Sequence, residues 1–451
     1  MKKLEINVKK KLIFLLVMIF FGFALSAQTI DLEQVRNLTL LNSRSLANIN
    51  TSIRNSLLNE RNQFYSMLPS ISARYDAQVS YLNNDWEFVN PIDTFNSGLS
   101  LSLTQTLFNG GRDFLQREIN AIATESVRKD ALAVYFDVLD SADNAYYAVL
   151  EAAATLEAEE SSLQTAIFSL EIAEIRQASG MINYGEYLRA MSEKESRENT
   201  RNQARRSLAL NITRLEALTG FSNLPPLEQI EFSKYEELIL HLGNISDEDA
   251  VLIFSRLWNI IFTANPSLAR SALNIQTAEK NLSMTKRTSL PVVTASIISP
   301  SIGYSTANGF RHSSGGGGFS LTGTIPIDFW VLSNRIERSQ NTLDSASRDY
   351  ISAEISLEID LHNTLLNTFT NAATILSSRR TLEYAERNFE FVMERYRLLQ
   401  SSISELQEAT TMLINNRNSY TRAYYGFLQN LSRLRSLSVI DDEERLLNLL
   451  R

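Results

Sequence analysis

From Arg112 to Ser179 the chain contains neither glycine nor proline and is rich in Ala, Leu, Glu and Arg. As one helix, these about 68 residues make a rod of roughly 100 Å. No globular domain of this size can bury such a rod end to end, so it must lie in a wall of other helices. Directly before it, Leu99 to Phe108 alternates apolar and polar residues, the pattern of a strand with one greasy and one wet face. Asn109-Gly110-Gly111 separates the two. A tight turn with positive φ accounts for Gly110 and Gly111 better than a phosphate cradle does, because no Lys-Ser/Thr follows them.

The rest of the chain completes this pair and then repeats it. Ile30 to Leu68 lacks Gly and Pro and reads as one helix of about 38 residues, closed by Pro69. Residues 70–81 alternate as a strand, 83–97 read as a loop, and the strand at about 98–108 returns. Gly180 marks the far turn of the rod, and Glu186 to Thr219 gives a shorter returning helix. Ser45 to Pro69 then matches Ser267 to Pro291 at a spacing of 222. Leu103-Thr-Gln-Thr-Leu107 matches Leu321-Thr-Gly-Thr-Ile325 at 218, and Asn211-Ile-Thr-Arg-Leu215 matches Asn430-Leu-Ser-Arg-Leu434 at 219. The chain is therefore two copies of helix, strand, strand, long helix, shorter helix.

In the second copy, Asn265-Pro266 restarts or kinks a helix and Pro291 closes it. Strands are expected at about 291–304 and 317–327, with a flexible glycine-rich loop over 303–318 between them. Asn334 to Gln400 is the second rod, Ser401-Ser402 its turn, and Glu405 to Ser438 the returning helix. These boundaries divide the chain into 28–220, an acidic insertion at 221–249, 250–440 and a tail at 441–451.

Residues 1–27 have a lysine-rich start, an apolar run from Leu12 to Phe23 and Ala24-Leu-Ser-Ala27, the layout of a secretory signal. Their loss takes the net charge from −8 to about −12, which argues against nucleic acid as a partner. With no cysteine, the exported chain has no disulfide framework. Its three histidines, His241, His312 and His362, are far apart and lack ligand spacing. No nucleophile–base constellation is present, so the reading is not an enzyme, and neither a metal nor a cofactor is expected.

Four amphipathic strands cannot stand alone in lipid, where unpaired N–H and C=O groups find no water. About eight strands is the minimum for closure. Several chains must share one barrel; two give eight strands and three give 12, with room for a lumen.

The run Leu-Thr-Gln-Thr-Leu-Phe-Asn-Gly-Gly-Arg at 103–112, with the duplicated layout, resembles the TolC family of outer-membrane efflux channels. Asn-Pro-Ser-Leu at 265–268 is a supporting match. The resemblance implies a mostly α fold with a membrane β-barrel: a homotrimer with a 12-stranded barrel in the outer membrane of a Gram-negative bacterium and a long α-helical tunnel in the periplasm. It implies a passive duct for efflux or type I secretion, working with a periplasmic adaptor and an inner-membrane pump. The second copy departs from the pattern, having Pro326 to Asn334 where many members carry a glycine turn.

Glu405-Leu-Gln-Glu408-Ala-Thr-Thr-Met-Leu413 is similar to a family stretch whose two acids ring the periplasmic entrance. Glu405 and Glu408 are thus candidate gate residues, i,i+3 on one helix face; the bland alternative is a solvated face. Gly180, Ser401 and Ser402 are expected at the hairpin tips, and Pro69 and Pro291 at helix–strand turns. Tyr81, Trp86, Phe88, Tyr304, Phe310, Phe329 and Trp330 gather at strand ends, as interfacial girdles do. A periplasmic coiled-coil adaptor or a structural coiled coil are the rival readings, but neither needs two hairpins with strand pairs.

Overall fold

The computed structural model of the chain describes residues 29–82, 92–305, 309–312 and 317–451. The signal sequence, Trp86 and Phe88 therefore lie outside the described residues. The first copy runs α1 (Leu32–Asn42), α2 (Arg44–Ser66), β1 (Ser70–Leu82), β2 (Ile92–Phe108), α3 (Arg112–Ala178) and α4 (Tyr184–Thr219). After a 3-10 turn at Phe232–Tyr235 and α5 (Glu236–Gly243), the second runs α6 (Asp247–Ala264), α7 (Pro266–Lys286), β3 (Val292–Ile298), β4 (Ile302–Ser305), β5 (Gly309–His312), β6 (Gly318–Thr324), α8 (Phe329–Arg397) and α9 (Ile403–Ser438). The chain closes with α10 (Glu443–Leu449).

The rods α3 and α8 hold 67 and 69 residues. Beside them the shorter helices meet end to end. Asn42 donates from its side chain to the carbonyls of Ala217 and Leu218, joining α1 to the end of α4. Asn265 donates to Leu437 O at 3.2 Å, joining α7 to the end of α9. The wall reads α2–α3–α7–α8 near the sheet and α4–α3–α9–α8 towards the tips.

Several boundaries differ from the sequence reading. The expected single helix over 30–68 is broken at Ser43, whose extended backbone caps α2 by accepting from Leu46 N. Ser43 lies 222 residues before Asn265, which caps α7 the same way, so both copies break at one place. The expected loop over 83–97 is too long, because Ile92 to Phe95 pairs with Leu82 to Val79. The strand expected over 291–304 is interrupted at Pro300, which has no N–H for the ladder. Ser299 bridges the gap: its N–H donates to Leu101 O, and its hydroxyl accepts from Leu101 N at 2.9 Å. The expected flexible loop over 303–318 instead contains β4 paired with β5. The second rod begins at Phe329 rather than Asn334, with Asp328 at its N-cap and no positive φ, which is how the second copy turns without glycines.

The main core sits at mid-height, where Leu215 of α4, Ile261 of α6, Leu361 of α8 and Phe427 of α9 are buried together with Tyr146 of α3. Within it, Asp143 is fully buried and accepts from Arg36 at 2.6 and 2.8 Å and from Ser432 at 2.7 Å. Arg435 approaches the same carboxylate at 3.1 Å. Two cationic partners and a hydroxyl offset the cost of burying this charge. The N-terminal residues and the insertion are tied to this level by Ile30, which bridges Leu227, and by Tyr146, whose hydroxyl donates to Glu228 O. Helix α10 docks through Glu443, which accepts from Lys234 and Tyr235. Burial works against the Glu443 charge, but these two donors bring its pKa below the ordinary range.

Gly110 and Gly111 have φ of 73° and 74°. A Cβ on Gly110 would lie 3.0 Å from Arg287 O and from Leu290 Cβ, so this turn needs both the left-handed backbone and the absent side chain. Gly180 has φ of 70° but nothing within 4 Å. Gly180→Ala is expected to cost about 1–2 kcal/mol for the backbone alone, and Gly110→Ala to lower stability further; paired thermal melts in detergent check the order.

Candidate functional site

Two surfaces carry the architecture's consequences, the sheet at one end and the hairpin tips at the other. The sheet is antiparallel in the order β1–β2–β3–β6, with the β4–β5 hairpin extending it beyond Pro300. Register aligns greasy residues into a row, with Ile71, Leu103, Ile297 and Phe319 side by side; in the next row Ala295 and Leu321 stand beside the polar Gln105. Ile71 and Phe319 are 78% and 69% exposed, and nothing among the described residues covers them. The opposite face aligns Ser70, Thr104, Ser296 and Ser320. Its hydroxyls pair with each other, Ser72 with Ser102 and Ser296 with Ser320, both at 2.7 Å. Its charged pair Arg74–Asp76 is internally matched at 2.8 Å. One face suits lipid and the other water.

The turns below the sheet follow the sequence. Pro69 precedes β1 and Pro291 precedes β3, and Gln105 donates to Met67 O to hold the first of these turns. Asn109 accepts from Arg112 N and starts α3, while Gly111 stands at its N-cap. Exposed Leu107, Phe108, Phe114, Ile327, Phe329 and Trp330 surround this level. Tyr304 and Phe310 pack against each other on the β4–β5 hairpin, with ring centroids 5.4 Å apart.

At the far end both hairpins use one turn. Gly180 and Leu399 take positive φ, Met181 N donates to Arg176 O, and Gln400 N donates to Arg395 O. Asn183 and Ser402 then cap the returning helices by accepting from Glu186 N and Glu405 N. A local apolar cluster separate from the main core holds the tip, with Ala173 and Ala190 from the first hairpin and Val392, Tyr396, Ile403, Leu406 and Ala409 from the second.

Through this cluster runs Arg176, which is 7% exposed. Its guanidinium donates to Tyr396 O at 2.5 Å and Ser401 O at 3.5 Å, and lies 4.4 Å from the Tyr396 ring centroid. No carboxylate pairs with it among the described residues. The negative end of α8 and the ring face stabilise the charge instead. Tyr396 returns the link by donating from its hydroxyl to Ser169 O at 3.0 Å. Burial pushes its phenol pKa up, against the opposing influence of Arg176. Arg189 donates to Ser404 Oγ, and Arg197 to Thr411 Oγ1 at 2.8 Å.

Glu405 and Glu408 stand on the first turns of α9, both exposed. Glu405 lies 4.0 Å from Arg395, whereas no ion pair involves Glu408 among the described residues. Ser401 is buried, with its hydroxyl on Val392 O, and Ser402 is exposed. Sequence reading missed Arg176 and Tyr396. The available signal was an arginine continuing the small-residue stripe Ser169, Ala173.

A partial sheet with one lipid-suited and one water-suited face, set on a tall helical wall, defines a channel-forming membrane protein. The chain belongs to the outer membrane efflux protein family, whose sequence pattern matches residues 35–221 and 259–438. Its fold is similar to that of the Campylobacter jejuni CmeC outer membrane channel (TM-score 0.73, 15% identity, 92% of this chain and 88% of that one). It is also similar to the outer membrane protein VceC of Vibrio cholerae (0.70, 16%, 90% and 96%) and to the open state of the Neisseria gonorrhoeae MtrE channel (0.62, 16%, 90% and 88%). Among curated proteins, none matches it in sequence. The protein is an outer-membrane efflux channel that extends into the periplasm, an exit duct for tripartite efflux systems. The family is one of channels rather than enzymes, and its members generally form trimers working with adaptor proteins and inner-membrane pumps.

Replacing Arg176 with Met removes its bonds to Ser401 O and to Tyr396 O, the latter keeping Leu399 N–H, and is expected to cost about 1–3 kcal/mol of local stability. Limited proteolysis checks this, since cleavage at the tips should accelerate while the mid-height core stays resistant.

Proposed function

We propose that three copies of this chain close one 12-stranded barrel in outer-membrane lipid, above a helical tunnel fed by a periplasmic adaptor and an inner-membrane pump. The observation that carries this reading is the pair of open edges. Among the described residues, β1 pairs only with β2, and β6 only with β3. Each edge leaves a row of unpaired backbone groups that lipid cannot satisfy. With four strands per chain alternating in direction, β6 of one copy meets β1 of the next antiparallel, so closure needs no other strand. The helical wall has matching open sides: α2 buries no residue at all, and α8 buries none before Leu357. Rings form from such head-to-tail contacts when the rotation closes. Three copies rather than two leave room for a lumen behind the hydroxyl face.

In this reading residues 1–27 are a cleaved signal, and the exposed aromatics about Phe329 and Trp330 lie among lipid headgroups. The hairpin tips form the periplasmic gate, ringed by Glu405 and Glu408 from each copy, with Gly180, Ser401 and Ser402 shaping the turns. Six carboxylates about one constriction favour cations.

Detergent-extracted protein is expected to run as a trimer that dissociates on heating; a stable folded monomer would overturn the reading. Conductance in planar bilayers tests the ring. Glu408→Gln should lower cation preference more than Glu405→Gln, because Arg395 already offsets Glu405, and the double variant should bring the permeability ratio close to unity.

A further inference from the structure

At mid-height the two repeats overlay residue by residue. Along the rods the spacing is 219, since the buried Ala142, Tyr146 and Val149 of α3 fall on the buried Leu361, Leu365 and Thr368 of α8. The same spacing takes Leu215 of α4 onto Leu434 of α9, both fully buried, while α6 follows α1 at 222. Within a copy α3 has α4 on one flank and α9 on the other. In a three-copy ring α8 has its own α9 on one flank and α4 of the next copy on the other, a step that rests on the trimeric reading above. The α3–α9 seam within a copy is thus the template for the α8–α4 seam between copies.

At the first seam the buried Asp143 of α3 takes Arg36 from α1, and Ser432 and Arg435 from α9. Its counterpart in α8 is His362. The counterparts of its partners are Trp258 for Arg36, Thr213 for Ser432 and Glu216 for Arg435. The acid has become an imidazole and the cation on the facing helix a carboxylate, so the polarity of the pair is reversed. Half of this arrangement is present in the single chain. His362 turns to α6 as Asp143 turns to α1: its ring stacks on Phe254, with centroids 4.1 Å apart and 15° between the planes, and Phe254 stacks in turn on Trp258. His362 is otherwise exposed, with no ion pair among the described residues. Glu216 is also without a cation among the described residues, although its Oε1 accepts from Asn223 N at 2.8 Å and from Leu224 N at 3.4 Å.

We propose that His362 pairs with Glu216 of the next copy, so that the ring carries three imidazolium–carboxylate contacts at mid-height, one in each seam between copies. The remaining charges about His362 have other places. On α8, Glu358 lies one turn before it, and Asp360 is held by Arg433 of α9 at 3.8 Å. On α6 the charges Asp247, Glu248, Asp249 and Arg256 are exposed, and on α7 Arg270 is held by Asp130 of α3. Helix α5 meets the rod lower down, where Gly243 stands against Ala372, and brings Glu236, Glu237 and His241 to that level. Of the charges that assembly adds, Arg214 of α4 and Arg44 at the start of α2 are cations, and only Glu216 can pair with an imidazolium. An aspartate–arginine pair stays charged across the neutral range, whereas an imidazole ordinarily titrates near 6.5. A histidine that gains a carboxylate on assembly adds stability below that range and loses it as pH rises. The seams between copies therefore tighten in acid, while the seam within each copy does not respond.

The temperature at which detergent-extracted trimers dissociate at low ionic strength is expected to fall by several degrees between about pH 5.5 and about pH 8, a span that brackets the ordinary imidazole range. His362→Gln and Glu216→Gln should each flatten that slope. The double variant should add nothing to either, since each single change already removes the contact. Glu216→Gln keeps an amide oxygen for the Asn223 and Leu224 N–H groups, so the turn after α4 is preserved. Because the chain has no cysteine, His362→Cys with Glu216→Cys locates the contact independently: a short bis-maleimide should give covalent dimers and trimers on a denaturing gel. Intact trimers that fail to cross-link overturn the proposal, as do single variants that keep the full slope or a double variant whose effects add. Absence of trimers in the unmodified protein would instead remove the reading on which it rests.

Discussion

The two backbone edges that this chain leaves unpaired govern everything else about it. In water an open strand edge is tolerable, since solvent can satisfy its N–H and C=O groups. In hydrocarbon each unsatisfied group costs several kcal/mol, so a sheet whose outward rows are Ile71, Leu103, Ile297 and Phe319 cannot remain open. Membership of the outer membrane efflux protein family puts the sheet in that solvent. In the proposed ring, closure by further copies sets the curvature of the helical wall below, because each rod continues directly from a strand through a turn of three or four residues.

The wall divides its stability between two levels. At mid-height the wall and the helices of the insertion enclose the large core around Leu361 and Phe427, knitted by the buried Asp143 with its two arginines. At the tip a small separate cluster is knitted by Arg176 and Tyr396. The two arginine sites solve the burial of charge differently. Arg36 and Arg435 face a carboxylate, whereas Arg176 faces helix-end carbonyls and a ring. A site without a second ion keeps the tip free of a deeply buried carboxylate, whose own desolvation would have to be offset.

Much of this was legible in the sequence because it rests on local signals. Strict alternation from Leu99, a run without Gly or Pro from Arg112 and the glycines at 110–111 each act over a few residues, and the structure follows them closely. The repeat was legible because both copies keep the same breaks. Failures came where a local signal was weak or misleading. Ser43 interrupts a helical run only through a single cap, without proline. Pro300 falls inside an alternating pattern, and Ser299 repairs the ladder it disrupts. The tip network was not legible at all, since Arg176 and Tyr396 are joined across about 220 residues. Comparing the two copies position by position would have exposed it, as the tyrosine in one is a glutamine in the other.

The paired hydroxyls of the sheet's polar face bear on how cargo leaves. In each serine pair across the ladder one hydroxyl has spent its donor on the other, and Arg74 and Asp76 on that face neutralise each other. A molecule sliding past such a surface finds few sticky handholds and little electrical preference, whatever its shape or charge. In the proposed barrel, this stretch of the polar face therefore offers passing cargo few strong contacts.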